Sequence, residues 1–417
     1  MPANKWFHLF FSNFLGVFND NFLKNSIIFV AITWNLPDWM SSSQLISIVS
    51  ACLVVPYVLL SPIGGLLATK YSKVLVFRWL KLIEIPIVAI AIVSFYFQWI
   101  YVAIFSMLLI GTQSSLYSPS KYGLIKDIGG EQEASFGSGA FEAMAFIGIL
   151  TGTFSASMVS DHYSLSVLAA VLLLVAVLGY IITNRIKVQE LPVDTDQSQI
   201  LHPIKFLTSS YRFAKQFKLV NSAVLGAASF WLIGSLLQMN IILYSKTVLH
   251  ITNTLTGVIM ASAAVGIALG TAFSGKFLKG RDTKGFIIPA LIGMIICLIG
   301  MVSVTHTFTS FLITIVTFAF LGGMFQVPSL TMIQQTDLGR NIGNVIAYLN
   351  TVTFIFILLS TVIFSSITYL TNESSLAVFF SMIFLCVIIL LYFLLRHADF
   401  LQSSKSMIKS SITKNKI

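Results

Sequence analysis

Residues 186–217 read IKVQELPVDTDQSQILHPIKFLTSSYRFAKQF, and this stretch divides the chain. It opens polar, from Val188 to Gln199, and then mixes Phe206, Leu207, Phe213 and Phe217 with Lys205, Arg212 and Lys215. That mixture predicts an amphipathic helix lying on a membrane surface. In both directions outward the sequence turns apolar in blocks. A helix crossing about 30 Å of hydrocarbon needs about 20 predominantly apolar residues. Twelve such runs occur, at 6–34, 43–69, 74–97, 99–124, 134–160 and 164–185 before the divide, and 218–247, 254–275, 285–304, 308–335, 341–369 and 374–396 after it. Several contain Gly or Pro, which helices in lipid tolerate. None alternates in ten-residue strands as a barrel would. The expected fold is an all-α membrane protein of twelve transmembrane helices in two six-helix halves. Its parts are an N-terminal half at 1–185, a cytoplasmic linker at 186–217, a C-terminal half at 218–397 and a disordered basic tail at 398–417.

Composition agrees. Of 417 residues, 56% are hydrophobic and only 10% charged, with a mean hydropathy of +0.89. A soluble domain carries about 25% charged residues, so a bilayer must solvate most of this surface. The net charge of +10 is not a nucleic-acid signal, because the cations sit in short loops rather than on one face. They follow the positive-inside rule. With a cytoplasmic N-terminus, the inner segments hold Lys5; Lys70, Lys73, Arg78 and Lys81; Lys121 and Lys126; and the linker group from Arg185 to Lys218. In the second half they hold Lys276, Lys279, Arg281, Lys284, Arg340 and Arg396, followed by the tail lysines. That is 23 of the 25 basic residues; Lys24 and Lys246 are the exceptions. Both termini are therefore expected in the cytoplasm. Trp6 already begins an apolar run with no small-residue cleavage site behind it, so the first span is expected to be retained. Cys52, Cys297 and Cys386 lie far apart inside apolar runs and form neither a disulfide framework nor a metal pair.

The halves echo each other. Gly111-Thr-Gln-Ser-Ser-Leu-Tyr-Ser-Pro119-Ser in span four resembles Gly323-Met-Phe-Gln-Val-Pro328-Ser in span ten, with the prolines 209 residues apart. Glu142 in span five falls opposite Asn350 in span eleven. Repeated halves of this kind are the mark of carriers whose substrate site lies near the midplane.

A charge inside hydrocarbon costs about 3 kcal/mol on insertion scales and so needs a reason. Asp20 and Lys24 are four apart and share a face of the first span, with Asn13 on the same stripe. Asp20 lies about fourteen residues into the span, or about 21 Å at 1.5 Å per residue. Two readings fit: a self-neutralising pair that only packs the helix, or a headgroup or ion site, which explains better why two apolar residues do not stand there. Glu142 sits among Gly137, Ser138, Gly139, Ala140 and Ala143, where a hydrogen bond to a neighbouring helix and a functional role fit equally. Glu84, three residues after Lys81, reads as a local ion pair with snorkelling. The second half offers neutral polar groups instead: Gln238, Asn240, Tyr244, Gln326, Ser329, Gln334, Asn350 and Thr353. A cleft charged on one wall and uncharged on the other suits an amphiphile with a small polar head. Gly270-Thr-Ala-Phe-Ser-Gly275-Lys276-Phe277 nearly fits a phosphate loop but lacks the closing Ser or Thr and a preceding strand. It reads as helix packing through Gly266 and Gly270. No nucleophile or metal motif is found, and neither enzymatic activity nor a cofactor is expected.

The architecture resembles the major facilitator superfamily, whose loop 2–3 motif corresponds to Pro62–Lys73, with Thr69 in place of the acid and Ser72 in place of the second Gly. More closely, the chain resembles the bacterial lysophospholipid transporter family. The matching strings are Phe18-Asn-Asp20-Asn21, Tyr117-Ser-Pro-Ser-Lys121-Tyr122-Gly123, Phe141-Glu142-Ala143, Phe230-Trp231, Gly322-Gly323 with Pro328, and Gly343-Asn344 with Asn350. The resemblance implies a flippase that brings lysophosphatidylethanolamine-like lipids from the outer to the inner leaflet of a bacterial inner membrane for reacylation. It implies membrane lipids as surroundings, a separate acyltransferase as partner, a monomer, and no nucleic acid. The expected substrate-binding residues are Asp20 for the headgroup amine, Lys24, an extra cation relative to the family pattern, for the phosphate, and Glu142, Asn21, Tyr117, Lys121, Gln238, Gln326 and Asn350 around them. The family pattern has a basic residue where Gln238 stands and an acid near Thr353; both charges are absent here. Two other readings remain open: a proton-coupled exporter of a drug-like molecule or siderophore using Asp20 or Glu142, and a non-transporting receptor or scaffold.

Overall fold

A computed structural model describes residues 4–190, 203–277, 283–303, 307–336, 342–396 and 400–404. It divides into two compact units, Met1–Phe206 with Thr252–Gly257, and Leu207–Ile251 with Val258–Ile417.

The first unit holds α1 (Asn4–Ala31), α2 (Ser42–Lys70), α3 (Lys73–Phe97), α4 (Ile100–Asp161) and α5 (Leu165–Asn184). Their ends follow from local chemistry. Ser41 closes a capping box with Gln44 at the start of α2. Ser72 caps α3 by accepting from the Leu75 amide, and Gln98 ends α3 in the left-handed region at φ 56°. α1 packs on α4 and α5, α2 on α4, and α3 on α4 and α5. Small residues permit this. A Cβ on Gly152 would come within 2.5 Å of the Phe18 carbonyl oxygen, and one on Gly148 within 2.9 Å of that of Phe14. The α1 and α4 backbones therefore approach where glycines stand.

One boundary differs from the sequence reading. Spans four and five are continuous in α4, a helix of 62 residues with apolar windows at Ile100–Gly129 and Ala143–Asp161. The segment between them holds no proline, so every backbone amide stays available to the helix. Its glycines cost only about 1 kcal/mol each, and Glu131, Gln132, Glu133 and Ala134 favour helix.

The second unit holds most of α6 (Pro203–Ala214), followed by α7 (Val220–Thr247), α8 (Asn253–Phe277), α9 (Ile287–Ser303), α10 (Phe308–Gln335), α11 (Ile342–Leu370) and α12 (Ser375–Arg396). α7 packs against α10, α11 and α12, and α9 against α10 and α12. Gly266 and Gly270 do pack helices: a Cβ on Gly266 would lie 2.7 Å from the Val316 carbonyl oxygen, and one on Gly270 would collide with that of Phe320. Pro119 and Pro328 both sit inside helices.

Among the described residues, eleven segments are long and apolar enough to cross a membrane. α1 is the remaining long helix of the first unit. A ladder of stacked and tilted rings, Phe7–Phe11–Phe14–Phe18–Phe22, runs along it, while Asn13, Asn19, Asp20 and Lys24 are buried within the unit. Its polar content thus faces protein rather than lipid, as intramembrane polar groups require. The tail expected at 398–417 is ordered at its start: 400–404 is helical, Phe400 is fully buried beside Phe393 at 5.3 Å, and Ser404 donates to the Gly285 carbonyl. Burial of one phenyl ring explains this order; residues 405–417 lie outside the described residues.

Candidate functional site

The polar centre of the first unit is built on α1. Asp20 is buried, and its Oδ2 accepts from the Ser114 hydroxyl of α4 at 2.9 Å. Its Oδ1 has no hydrogen-bond partner among the described residues. The hydrogen bond shown for this carboxylate thus runs to a second helix, not along α1 to Lys24. Ser114 Oγ also lies 3.1 Å from Gln113 Oε1. A hydroxyl carries one hydrogen, so Ser114 serves one of these acceptors at a time.

Beside it lies a second charged group that the sequence reading placed at the membrane edge. Lys81 and Glu84 pair at 2.5 Å and are each only 1% exposed. This corrects the expectation of snorkelling. Glu84 accepts from Asn19 Nδ2 at 2.7 Å and from Gln113 Nε2 at 3.4 Å. Room for the ammonium comes from glycine: a Cβ on Gly16 would stand 2.8 Å from Lys81 Nζ, and one on Gly179 3.6 Å. Partners on two other helices, Asn19 of α1 and Gln113 of α4, support the pair, which a buried ion pair needs to persist.

Lys121 is a further correction. Counted from sequence among the inner-loop cations, it is buried at 6% exposure and donates to Asn13 Oδ1 at 3.0 Å. Asn13 in turn donates to the Phe141 carbonyl at 3.0 Å. Tyr117 is buried, stacks on Phe77 at 5.1 Å, and has Lys121 Nζ at 5.1 Å and Lys81 Nζ at 5.7 Å from its ring centroid. Two ammonium groups thus share one aromatic face system. Lys81, Lys121 and Glu84 all lie within electrostatic reach of Asp20.

The remaining expected residues stand as follows. Lys24 is buried on α1. Asn21 gives its amide to Val17, one turn back on its own helix, at 2.9 Å. Glu142 lies on α4 with its side chain outside the described residues. In the second unit, Gln238 is half-buried on α7, Gln326 is buried on α10 with Oε1 unpartnered, and Asn350 is exposed on α11. Missed in the sequence were Asn19, Gln113 and Ser114, which tie the two carboxylates together. Asn19 was visible as the middle of Phe18-Asn-Asp20. The serine–glutamine step at 113–114 carried no signal of its own.

The start of α3 is clasped by Glu190. It accepts from Ser72 Oγ at 2.5 Å, the Lys73 amide at 2.7 Å and the Val74 amide at 3.1 Å. Arg78 donates to the Ile186 carbonyl at 2.7 Å, and Lys73 pairs with Asp127 at 2.7 Å. The serine that replaces the motif glycine is thus both the cap of α3 and a donor to the linker. Partial burial acts to raise the Glu190 carboxyl, but the hydrogen bonds from Ser72, Lys73 and Val74 and the Lys73 charge outweigh it and hold it below the usual glutamate range. A depressed folded value means the clasp contributes fully above the ordinary glutamate range and is lost as pH falls through the depressed value. Glu190→Gln should therefore speed hydrogen exchange at the first turn of α3 at neutral pH, and acidification should reproduce the effect in the parent protein.

Paired apolar helical units with a buried polar centre on the first helix define a membrane transporter rather than an enzyme. Residues 9–361 match the Major Facilitator Superfamily, and the chain belongs to it. The chain is 27% identical over 350 residues to the lysophospholipid transporter LplT of Shigella flexneri serotype 5b, covering 81% of this chain and 82% of the relative. It is likewise 27% identical over 334 residues to LplT of Photorhabdus laumondii, covering 78% of each. In fold it is similar to the nucleoside transporter NupG, with a TM-score of 0.71 at 13% identity over 94% of this chain and 100% of that one. It is also similar to a bacterial homologue of the lysosomal transporter Spinster, with a TM-score of 0.64 at 13% identity over 98% and 99%.

Proposed function

We propose that this secondary transporter carries lysophospholipids of the phosphatidylethanolamine type across a bacterial inner membrane, delivering them to the inner leaflet by alternating access. The observation that carries this reading is Asp20: a buried carboxylate with one oxygen held by Ser114 and the other unpartnered. An unsatisfied buried acceptor is costly, and a headgroup ammonium would satisfy it. The relatives named as lysophospholipid transporters support the choice of substrate. Lys24, buried on the same helix, is the cation proposed for the phosphate, and Glu142 is the proposed supporting acid. A separate acyltransferase then acts on the delivered lipid. Mass spectrometry of lipid retained through purification tests this: an enriched lysophosphatidylethanolamine is expected. Enrichment of a siderophore or other soluble compound instead, together with thermal protection by that compound, would overturn it.

A further inference from the structure

The second unit contains a cavity of about 280 Å³ that the transport reading does not use. It is formed where the end of α6 and the start of α7 meet α11 and the last turn of α12. Three cations line it, Lys215, Lys218 and Arg396, and among the described residues no acidic one does. Three tyrosines add their rings and hydroxyls: Tyr211, Tyr348 and Tyr392. Its size lies just under the roughly 300 Å³ at which pockets for small organic ligands begin.

The polar wall is braced from behind. Tyr348 donates to Asn221 Oδ1 at 3.3 Å, Asn221 reaches the Tyr211 carbonyl at 3.5 Å, and Ser222 and Tyr392 share a hydrogen bond of 2.9 Å. Lys215, Lys218 and Arg396, by contrast, are exposed. The positive-inside rule explains why cations lie at this end of the bundle. It does not explain why three converge on one cavity beside hydroxyls with no acid among the described residues to balance them. Like charges brought together repel, and an anion removes the repulsion. Basic pockets between membrane helices on the cytoplasmic side bind phosphorylated headgroups.

We propose that this cavity binds the phosphate of an anionic phospholipid. Two features favour a lipid over a soluble anion. Val224, Leu225 and Val352 give the cavity an apolar wall. Leu395, beside Arg396, is 84% exposed, so apolar surface for an acyl chain adjoins that cation. Among the described residues no carboxylate lines it, which distinguishes this cavity from the Asp20 site, and its three cations favour an anionic headgroup over a zwitterionic one.

The test uses the full chain in detergent, titrated with phosphatidylglycerol, phosphatidylcholine or inorganic phosphate, with thermal stability and retained lipid measured. Phosphatidylglycerol should raise the melting temperature and stay bound, phosphatidylcholine should do so about tenfold less well, and inorganic phosphate should have little effect. Lys215→Gln with Lys218→Gln and Arg396→Gln should abolish the preference, and Arg396→Gln alone, as the milder variant, should weaken it. Lys70→Gln with Lys187→Gln removes two cations outside the cavity and should leave it intact. An undiminished phosphatidylglycerol response in both cavity variants would overturn the site. An equal response to inorganic phosphate would overturn the lipid as its source.

Discussion

Asp20→Asn should cut kcat/KM for lysophosphatidylethanolamine uptake by about 10- to 100-fold. The carboxylate offers a charge-assisted hydrogen bond to the headgroup ammonium, and such bonds contribute about 1.5–3 kcal/mol, with about 1.4 kcal/mol per tenfold. An asparagine keeps a carbonyl that can accept from Ser114 at the place where Asp20 Oδ2 now accepts at 2.9 Å, so the local structure survives. A lysophosphatidylglycerol substrate has no amine and should lose much less. Equal losses for both lipids would mean that Asp20 supports the fold or a conformational step rather than the amine. Adding Lys24→Ala should extend the loss to both substrates, because the phosphate is common to them.

Breaking the Lys81–Glu84 pair should have the largest effect on stability. Both side chains are 1% exposed, and removing one partner of a buried pair leaves an uncompensated charge, which costs about 3–5 kcal/mol. Lys81→Met strands Glu84 with only the amides of Asn19 and Gln113. Glu84→Gln strands an ammonium against Gly16, Gly179 and the Tyr117 ring. The double variant should recover a large part of either single loss, since residues in one network are not additive. Thermal unfolding of the purified protein and of the three variants measures this. Additive losses would show that the two groups act independently.

Eleven of the twelve expected spans were readable because hydrocarbon leaves so few alternatives: length and apolarity suffice. So were the helix-embedded prolines and the packing role of Gly266 and Gly270, which depend on residue type alone. The continuity of α4 was not, because glycine and polar residues between two apolar runs look the same whether the helix breaks or continues. Only proline would have decided it. The Lys81–Glu84 pair was found as a pair, but its depth was misjudged. A lysine three residues from a glutamate near a basic inner end fits snorkelling equally well. What buries it is distant in sequence: Gly16, Asn19, Gln113 and Gly179. The same holds for Lys121, whose partner Asn13 lies on another helix. Asp20 itself was legible, since an acid in an apolar run announces a cost. Its partner Ser114 was not, because serines are cheap in membrane helices and carry no such signal.

Lipid transport through the α1 centre is open to direct measurement. The direct test is uptake of labelled lysophosphatidylethanolamine by proteoliposomes holding the purified chain. Protein-dependent movement across the bilayer that is reduced at least tenfold by Asp20→Asn with Lys24→Ala is the predicted result. Uptake indistinguishable from protein-free vesicles, or uptake unchanged by that double substitution, would contradict it.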